Sequence, residues 1–394
     1  MKNNFYIEVN CQQKNHEGER ICGDMFLSTR VQEEERTIAV LSDGMGHGVK
    51  ANVLATLTAQ MALNFTKEHK EPEKIAEIIM NTLPVCSERK MNYATFTTVD
   101  IDNKGVVTIL EYDNPGAVVL RGTKVFQPEW SRVVLSSERN KGKELRTCRF
   151  LAKKEDRIVF CSDGIVQSGL GTDLFPFGWG HENLRNYLVD IVKQDHQVSA
   201  RKLASRIVNI ANKNDGYAPK DDSSCAVIYF RDPRKLLICT GPPYEKNKDK
   251  ELAEKVKKFD GKKIICGATT SDIIARELEV EIEDSMEFTD PDLPPVSSMD
   301  GIDLVTEGIL TLSKVAQILK NYTPNFSPGK GPADLIYKYL IESDEIHFII
   351  GTHINIAHQD PSLPVELEIR RTVVKRIAKL LEEKFLKQVS LKYI

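Results

Sequence analysis

The sequence predicts an α+β chain in two parts, and three observations carry that reading. Over the first 230 residues, strand-like runs gather around two helical zones instead of alternating with helices, which favours layered α+β packing over a doubly wound sheet. Aspartates close or open several of those apolar runs. Beyond Asp232–Pro233 the rhythm changes to an even mixture of strands and helices, expected of a smaller α/β domain. At about 150 residues per domain, a chain of 394 residues has room for two or three such units. The expected domains are 1–232 and 233–394.

The first half is read element by element. Ile38–Ser42 is a short apolar strand closed by glycines, and Val49–Phe65 follows with Val53, Leu57, Met61, Leu63 and Phe65 at helical spacing. Glu73–Leu83 repeats that spacing and stops at Pro84. Tyr93–Asp100, Val106–Tyr112 and Ala117–Leu120 are strands separated by Asp102–Gly105 and Asp113–Gly116. Such separators are turn chemistry, so the three strands predict an antiparallel meander. Arg157–Ser162 is a strand, Glu182–Ile191 and Ala200–Lys213 are helices, and Ser224–Phe230 is a closing strand.

In the second half, Lys235–Thr240, Lys262–Cys266 and Glu345–Gly351 predict strands. Lys246–Phe259, Ser271–Leu278 and Glu366–Val389 predict helices, the last long and amphipathic. Asp290–Pro295 and Asn325–Pro332 are proline-rich loops.

Composition narrows the function. Fifty-four basic against fifty-seven acidic side chains give a net charge of −3, which argues against coating nucleic acid. No apolar run approaches the roughly 18 residues of a membrane span, and the first twenty residues hold no apolar signal-like stretch. A cytoplasmic protein with no membrane association is expected. The eight cysteines form no CxxC pair and no spaced Cys/His quartet, which argues against zinc or disulfides, and Cys161, Cys225, Cys239 and Cys266, inside or beside apolar runs, read as buried thiols.

Four aspartates stand out by position. Asp24 follows Gly23 before an apolar segment, and Asp43 ends IAVLS and opens DGMGHG. Asp163 ends RIVFCS and opens DGI, and Asp221 starts DDSSCAVIYF. If their strands are neighbours, these carboxylates converge, and such hard oxygen ligands suit Mg²⁺ or Mn²⁺. Two ions about 3.5–4 Å apart can clamp a phosphoryl group for in-line displacement. Either Asp-Gly alone reads as an ordinary turn. The glycines at 44, 46 and 48 before a helix suit close backbone approach to a ligand better than a simple hairpin.

The segment GDMFLSTRVQEEERTIAVLSDGMGHGVKANVLATL resembles the opening of the metal-dependent, type 2C-like serine/threonine phosphatases, in the bacterial branch typified by the sporulation stage II protein E phosphatase. VDIDNKGVVTILEYDNPGAVVLRG, CSDGIVQSGLGTDLFPFGWG and DDSSCAVIYF continue the likeness in the family's order, over about residues 5–230. The resemblance implies a four-layer αββα sandwich of two antiparallel sheets flanked by helices, with a two-metal centre at one end. It implies that Asp43 bridges both ions, that the Gly44 carbonyl ligates one, and that Asp163 and Asp221 bind the first metal. Asp24 would join through metal or water. A metal-bridging hydroxide would then hydrolyse phosphoserine or phosphothreonine in a phosphorylated protein substrate, with an anti-sigma factor antagonist-like protein as the substrate class by analogy. Two departures mark this chain. Met45 stands where eukaryotic relatives carry a histidine, with His47 two residues on, and Gln167 replaces an acidic residue after the second Asp-Gly.

The second half carries weaker signals. Thr270 or Ser271 reads as a helix cap after Gly267, and the GK of SPGKGP lacks a following Ser or Thr. Asp300, Asp303 and Glu307 read as loop and cap residues, and His353, His358 and Asp360 as solvated or capping groups. This half is expected to be regulatory, acting on substrate presentation, oligomeric state or signal input. Competing functions are a non-catalytic scaffold or sensor that binds a partner through the second domain, and a phosphatase of small metabolites.

Overall fold

The structure, a computed structural model, describes residues 5–82, 94–135, 140–285, 287–323, 326–353, 366–385 and 387–394. Leu83, Pro84, Tyr93, Asn325, His358 and Asp360, all named above, and the cysteine Cys86 lie outside the described residues. By its internal contacts the chain divides into two compact units, Met1–Asp232 and Pro233–Ile394.

The first unit runs β1 (Tyr6–Lys14), β2 (Met25–Val31), β3 (Arg36–Gly44), α1 (Gly48–Lys67), α2 (Pro72–Thr82), β4 (Ala94–Ile101), β5 (Val106–Tyr112) and β6 (Val118–Arg121). It continues with β7 (Lys124–Phe126), β8 (Trp130–Val134), β9 (Glu144–Leu151), β10 (Asp156–Cys161), the single turn α3 (Asp163–Val166), α4 (His181–Gln194), α5 (Ala200–Asn214) and β11 (Ser223–Arg231). Two sheets form, ordered β1-β11-β10-β6-β7 and β2-β3-β4-β5-β9-β8. Their pairings are antiparallel.

Period-two alternation builds the layers. On β3, Ile38 and Val40 join the core under α1 and α2, whereas Ala39 and Leu41 join the core between the sheets. On β11, Cys225, Val227 and Tyr229 face the α4 and α5 side, and Ala226, Ile228 and Phe230 face the opposite sheet. These strands are buried on both faces, and each fully buried Val, Leu, Ile or Phe contributes about 1.5–3 kcal/mol. The result is the expected αββα sandwich.

Two expectations change here. The meander holds only for β4 and β5, because β6 leaves that sheet and pairs with β10 in the other. The turn that redirects it includes Asp113 at φ 57. Helix α1 forms, but it buries Ala51, Ala55, Ala59 and Ala62 and leaves Val53 and Leu57 58% and 44% exposed. The helix rides so close to β3 that only small side chains fit beneath it. Edge strands β1 and β2, the short β7 and β8, and the eight-residue β9 had no clear sequence signal.

The second unit runs β12 (Lys235–Thr240), α6 (Asp249–Lys258), β13 (Lys262–Cys266), α7 (Ala268–Leu278), β14 (Ile282–Asp284), β15 (Ser297–Met299) and β16 (Ile302–Thr306). After these come α8 (Ile309–Lys320), α9 (Pro332–Glu342), β17 (Glu345–Ile350), α10 (Glu366–Phe385) and β18 (Gln388–Tyr393). The sheet order is β14-β15-β16-β13-β12-β17-β18, and the five strands from β16 to β18 are parallel. Helices α8, α9 and α10 cover one face, and α6 and α7 the other. The α/β expectation is met in doubly wound form.

The last expected helix ends at Phe385, not Val389, because QVSLKY forms β18 beside β17. A 3-10 turn at Lys246–Lys248 precedes α6, so the expected 246–259 helix is shorter. Gly267, at φ 117, caps α7, while Thr270 and Ser271 sit inside its first turn. Asp303 accepts hydrogen bonds from Lys262 Nζ and the Lys263 N–H, at 2.5 and 2.8 Å, and so serves the fold.

Candidate active site

The register of the two sheets brings the sequence-selected aspartates to one end of the sandwich. In one sheet Met25 pairs with Ser42, which sets Asp24 beside the end of β3, where Asp43 pairs with Thr95. In the other, Cys161 pairs with Cys225, so Asp163 after β10 stands level with Asp221 and Asp222 before β11. A hydrogen bond crosses between the sheets, from Ser224 Oγ to Asp24 Oδ2 at 2.5 Å.

Glycine makes the close approaches possible. A Cβ on Gly44 would stand 2.1 Å from the Ala51 carbonyl oxygen, so the first turns of α1 press directly on the end of β3. A Cβ on Gly164 would stand 2.2 Å from the Asp222 carbonyl oxygen. Neither position admits a side chain without backbone movement. The second Asp-Gly is therefore no hairpin turn; it opens the helical turn α3 after β10.

The electrostatics follow from burial and like charge. Burial, with the charges of Asp24, Asp163 and Asp221 behind it, pushes Asp43 up to about 10. Burial pushes Asp24 up to about 7, partly relieved by the Ser224 hydroxyl. Burial and then Asp163 push Asp221 up to about 6. Asp24 Oδ1 and Asp222 Oδ2 are buried without hydrogen-bond partners. Among the described residues, no three His, Cys, Asp or Glu side chains form a ready ligand group. The carboxylates face one another at repulsive range and not in a closed ligand shell. Oxygen donors with unshared buried lone pairs fit a hard divalent cation, which would offset the repulsion.

Residues around the cluster sharpen the picture. Gln167, noted above as a departure, donates its amide to Asp163 Oδ2 at 2.8 Å. His47 is exposed; its Nδ1 lies 2.7 Å from Glu19 Oε1 and its ring stacks on His16 with centroids 4.4 Å apart. The His16 N–H donates to Asp222 Oδ1 at 3.0 Å. Sequence reasoning missed Asp222 and Ser224. The doubled acid in DDSS was their only signal, since which carboxylate turns inward depends on the phase in which the chain enters β11. Cys11, Cys22, Cys148, Cys161, Cys225, Cys239 and Cys266 are free thiols. Among the described residues no helix is long and apolar enough to cross a membrane.

Several solved structures are similar to part of this chain. The phosphatase domain of the cell fate determinant SpoIIE from Bacillus subtilis, in a crystal form without domain swapping, is similar at 14% identity. The match covers 58% of this chain and 94% of that one, with a TM-score of 0.44. RsbX in complex with magnesium is similar at 18% identity, over 58% of this chain and 98% of that one, with a TM-score of 0.41. The catalytic domain of the serine threonine protein phosphatase PstP in complex with 2 manganese ions is similar at 12% identity, over 58% and 100%, with a TM-score of 0.38. No curated protein sequence matches the chain. The sequence profile of Stage II sporulation protein E (SpoIIE) matches residues 33–231, half of the molecule. The chain belongs to the SpoIIE family.

Proposed function

We propose that the first unit is a divalent-metal-dependent phosphatase acting on phosphoserine or phosphothreonine in a protein substrate. The observation that carries the reading is the convergence of Asp24, Asp43, Asp163 and Asp221 from both sheets, with Asp43 pushed up to about 10 by burial and its neighbours. Asp43, the Gly44 carbonyl, Asp163 and Asp221 would hold two Mn²⁺ or Mg²⁺ ions, with Asp24 behind them. When bound, the ions supply charge stabilisation for the phosphoryl oxygens and a water acidified enough to attack at neutral pH. The chain's own groups position that chemistry. Gln167 fixes the Asp163 carboxylate, Ser224 fixes Asp24, and the α1 turn over Gly44 sets the direction of its carbonyl.

A partner-switching phosphoprotein, of the kind that antagonises an anti-sigma factor, is our proposed substrate class, by analogy with the family. The second unit is proposed to be regulatory. The supporting observation is that its suggestive carboxylate Asp303 is engaged with Lys262 and not gathered in a site.

The test is hydrolysis of p-nitrophenyl phosphate and of a phosphoserine peptide, with and without Mn²⁺, by wild type, Asp43→Asn and Asp163→Asn. Mn²⁺-dependent turnover lost in both variants is expected. Turnover that persists in both variants, or that needs no metal, overturns the reading.

A further inference from the structure

Apart from the carboxylate cluster, the first unit holds a cavity of about 210 Å³. Its walls include Gly116 before β6, Phe126 of β7, Trp130 of β8, Arg146 of β9, and His181 and Arg185 of α4. The two α4 residues stand one turn apart and so share a helix face. The cavity has an aromatic and aliphatic side and a cationic side.

The cationic side is only partly neutralised, by Glu111 beside Arg146. Arg185 has no ion pair or hydrogen bond among the described residues, and its Nε is buried without a partner. Buried guanidinium N–H groups in folded proteins almost always find an acceptor. Arg146 lies over the Trp130 ring, 4.5 Å from its centroid, and its Nε stays 3.9 Å from Glu111 Oε2, beyond hydrogen-bond reach. His181 Nε2 is 2.5 Å from the Gly116 carbonyl, so that nitrogen donates and Nδ1 is left over. Burial, with the charges of Arg185 and Arg146, holds this imidazole below its ordinary value. Two guanidinium groups therefore converge on one small space with no full counter-charge.

We propose that this cavity is an anion subsite for a carboxylate or phosphate carried on a short apolar stem, with Arg185 and Arg146 as its binding residues. Guanidinium groups match planar oxyanions bidentately, and the Phe126 and Trp130 side accommodates the stem. Its position suggests how it serves the protein. The Asp113–Gly116 turn forms one wall, and from that turn Asn114 donates to Thr97 Oγ1 at 3.1 Å and receives the Thr95 hydroxyl. Thr95 pairs with Asp43. One turn thus borders both the cavity and the carboxylate cluster. The anion comes either from an acidic side chain of the substrate or from a free small molecule. The first source rests on the phosphatase reading; anion binding itself does not.

Calorimetry on the full chain, titrated with benzoate and with inorganic phosphate under chelating conditions, tests the subsite without turnover. Wild type should bind benzoate saturably, and Arg185→Gln should weaken it about tenfold or more. Arg185→Lys should fall between them. The melting temperature of Arg185→Gln should hold or rise, since a half-buried guanidinium with an unpartnered Nε is lost; a purely structural arginine would lower it. A second arm compares phosphoserine peptides with and without a nearby glutamate. Preference for the acidic peptide, lost in Arg185→Gln while p-nitrophenyl phosphate turnover is unchanged, assigns the subsite to the substrate. Benzoate binding without peptide preference assigns it to a free anion. No saturable binding of either anion up to about 20 mM, a range covering millimolar affinity, together with no peptide preference, overturns the proposal. Failure of p-nitrophenyl phosphate turnover bears on the phosphatase reading alone.

Discussion

Glu111→Gln should stabilise the protein in alkaline solution and do so less as the pH falls. Glu111 lies on β5 and is 2% exposed. Its Oε1 accepts the Ala117 N–H at 2.6 Å, while Oε2 is buried without a hydrogen-bond partner. Burial pushes this carboxyl from an ordinary 4.5 up to about 7, against the smaller opposing effects of the Ala117 N–H and Arg146. The folded protein therefore holds a proton that the unfolded chain has released between pH 4.5 and 7. Stability falls as pH rises through that window. At 1.36 kcal/mol per pH unit, the full deficit above pH 7 is about 3 kcal/mol. A glutamine keeps an oxygen for the Ala117 N–H and removes the titration. The assay is thermal unfolding of both proteins from pH 5 to 8.5. At pH 8.5 the variant should melt several degrees higher, since 1 kcal/mol is worth roughly 2–4 °C in a unit this size. Near pH 5 the gain should vanish or reverse. A difference constant across the range would refute the reasoning, because only a titrating group makes it pH-dependent.

Three further outcomes follow from the same geometry. Gly44→Ala should cost about 3 kcal/mol or more, since its Cβ would meet the Ala51 carbonyl oxygen at 2.1 Å; chemical denaturation of the variant checks this. Ser224→Ala removes the donor that holds Asp24 Oδ2, and Mn²⁺ affinity measured by calorimetry should fall about tenfold while the circular dichroism spectrum is unchanged. Arg157 is 1% exposed with Nε and Nη1 unpartnered. Its Nη2, however, donates to the His196 and Val198 carbonyls at 2.7 and 3.3 Å, and its guanidinium lies 3.6 Å from the Tyr229 ring centroid. Arg157→Met should therefore cost about 1–3 kcal/mol in urea unfolding by leaving those carbonyls without their donor.

The sequence made some of this architecture plain and hid the rest for physical reasons. Strands buried on both faces, β3, β10 and β11, are continuous apolar runs and could be read directly. Strands β1 and β18 carry polar or alternating residues, NCQQK and QVSLKY, whose role depends on the neighbour that accepts them. Helix α1 was legible as a helix, but its buried face was not. Val53 and Leu57 look like core, and only the clearance over Gly44 shows that the alanines must turn inward. Asp24, Asp43, Asp163 and Asp221 were legible because each sits at the end of a strand run beside a glycine or a second aspartate. Asp222 was not, because adjacent residues entering a strand point opposite ways. The cavity at Arg146 and Arg185 was invisible in sequence, since β7, β8, β9 and α4 meet there only in the assembled layers.

The central claim, that the aspartate cluster is a divalent-cation site, is tested most directly by titrating Mn²⁺ into wild type and Asp43→Asn, with heat and melting temperature read on the same samples. The account predicts saturable binding to the wild type with a rise in melting temperature. It also predicts that metal-free Asp43→Asn melts higher than metal-free wild type, because an acid that burial and then its aspartate neighbours force to take up a proton on folding has been removed, and that the variant gains little from Mn²⁺. A wild type that neither binds Mn²⁺ nor melts differently with it would contradict the claim, as would a variant that keeps the full metal-dependent rise.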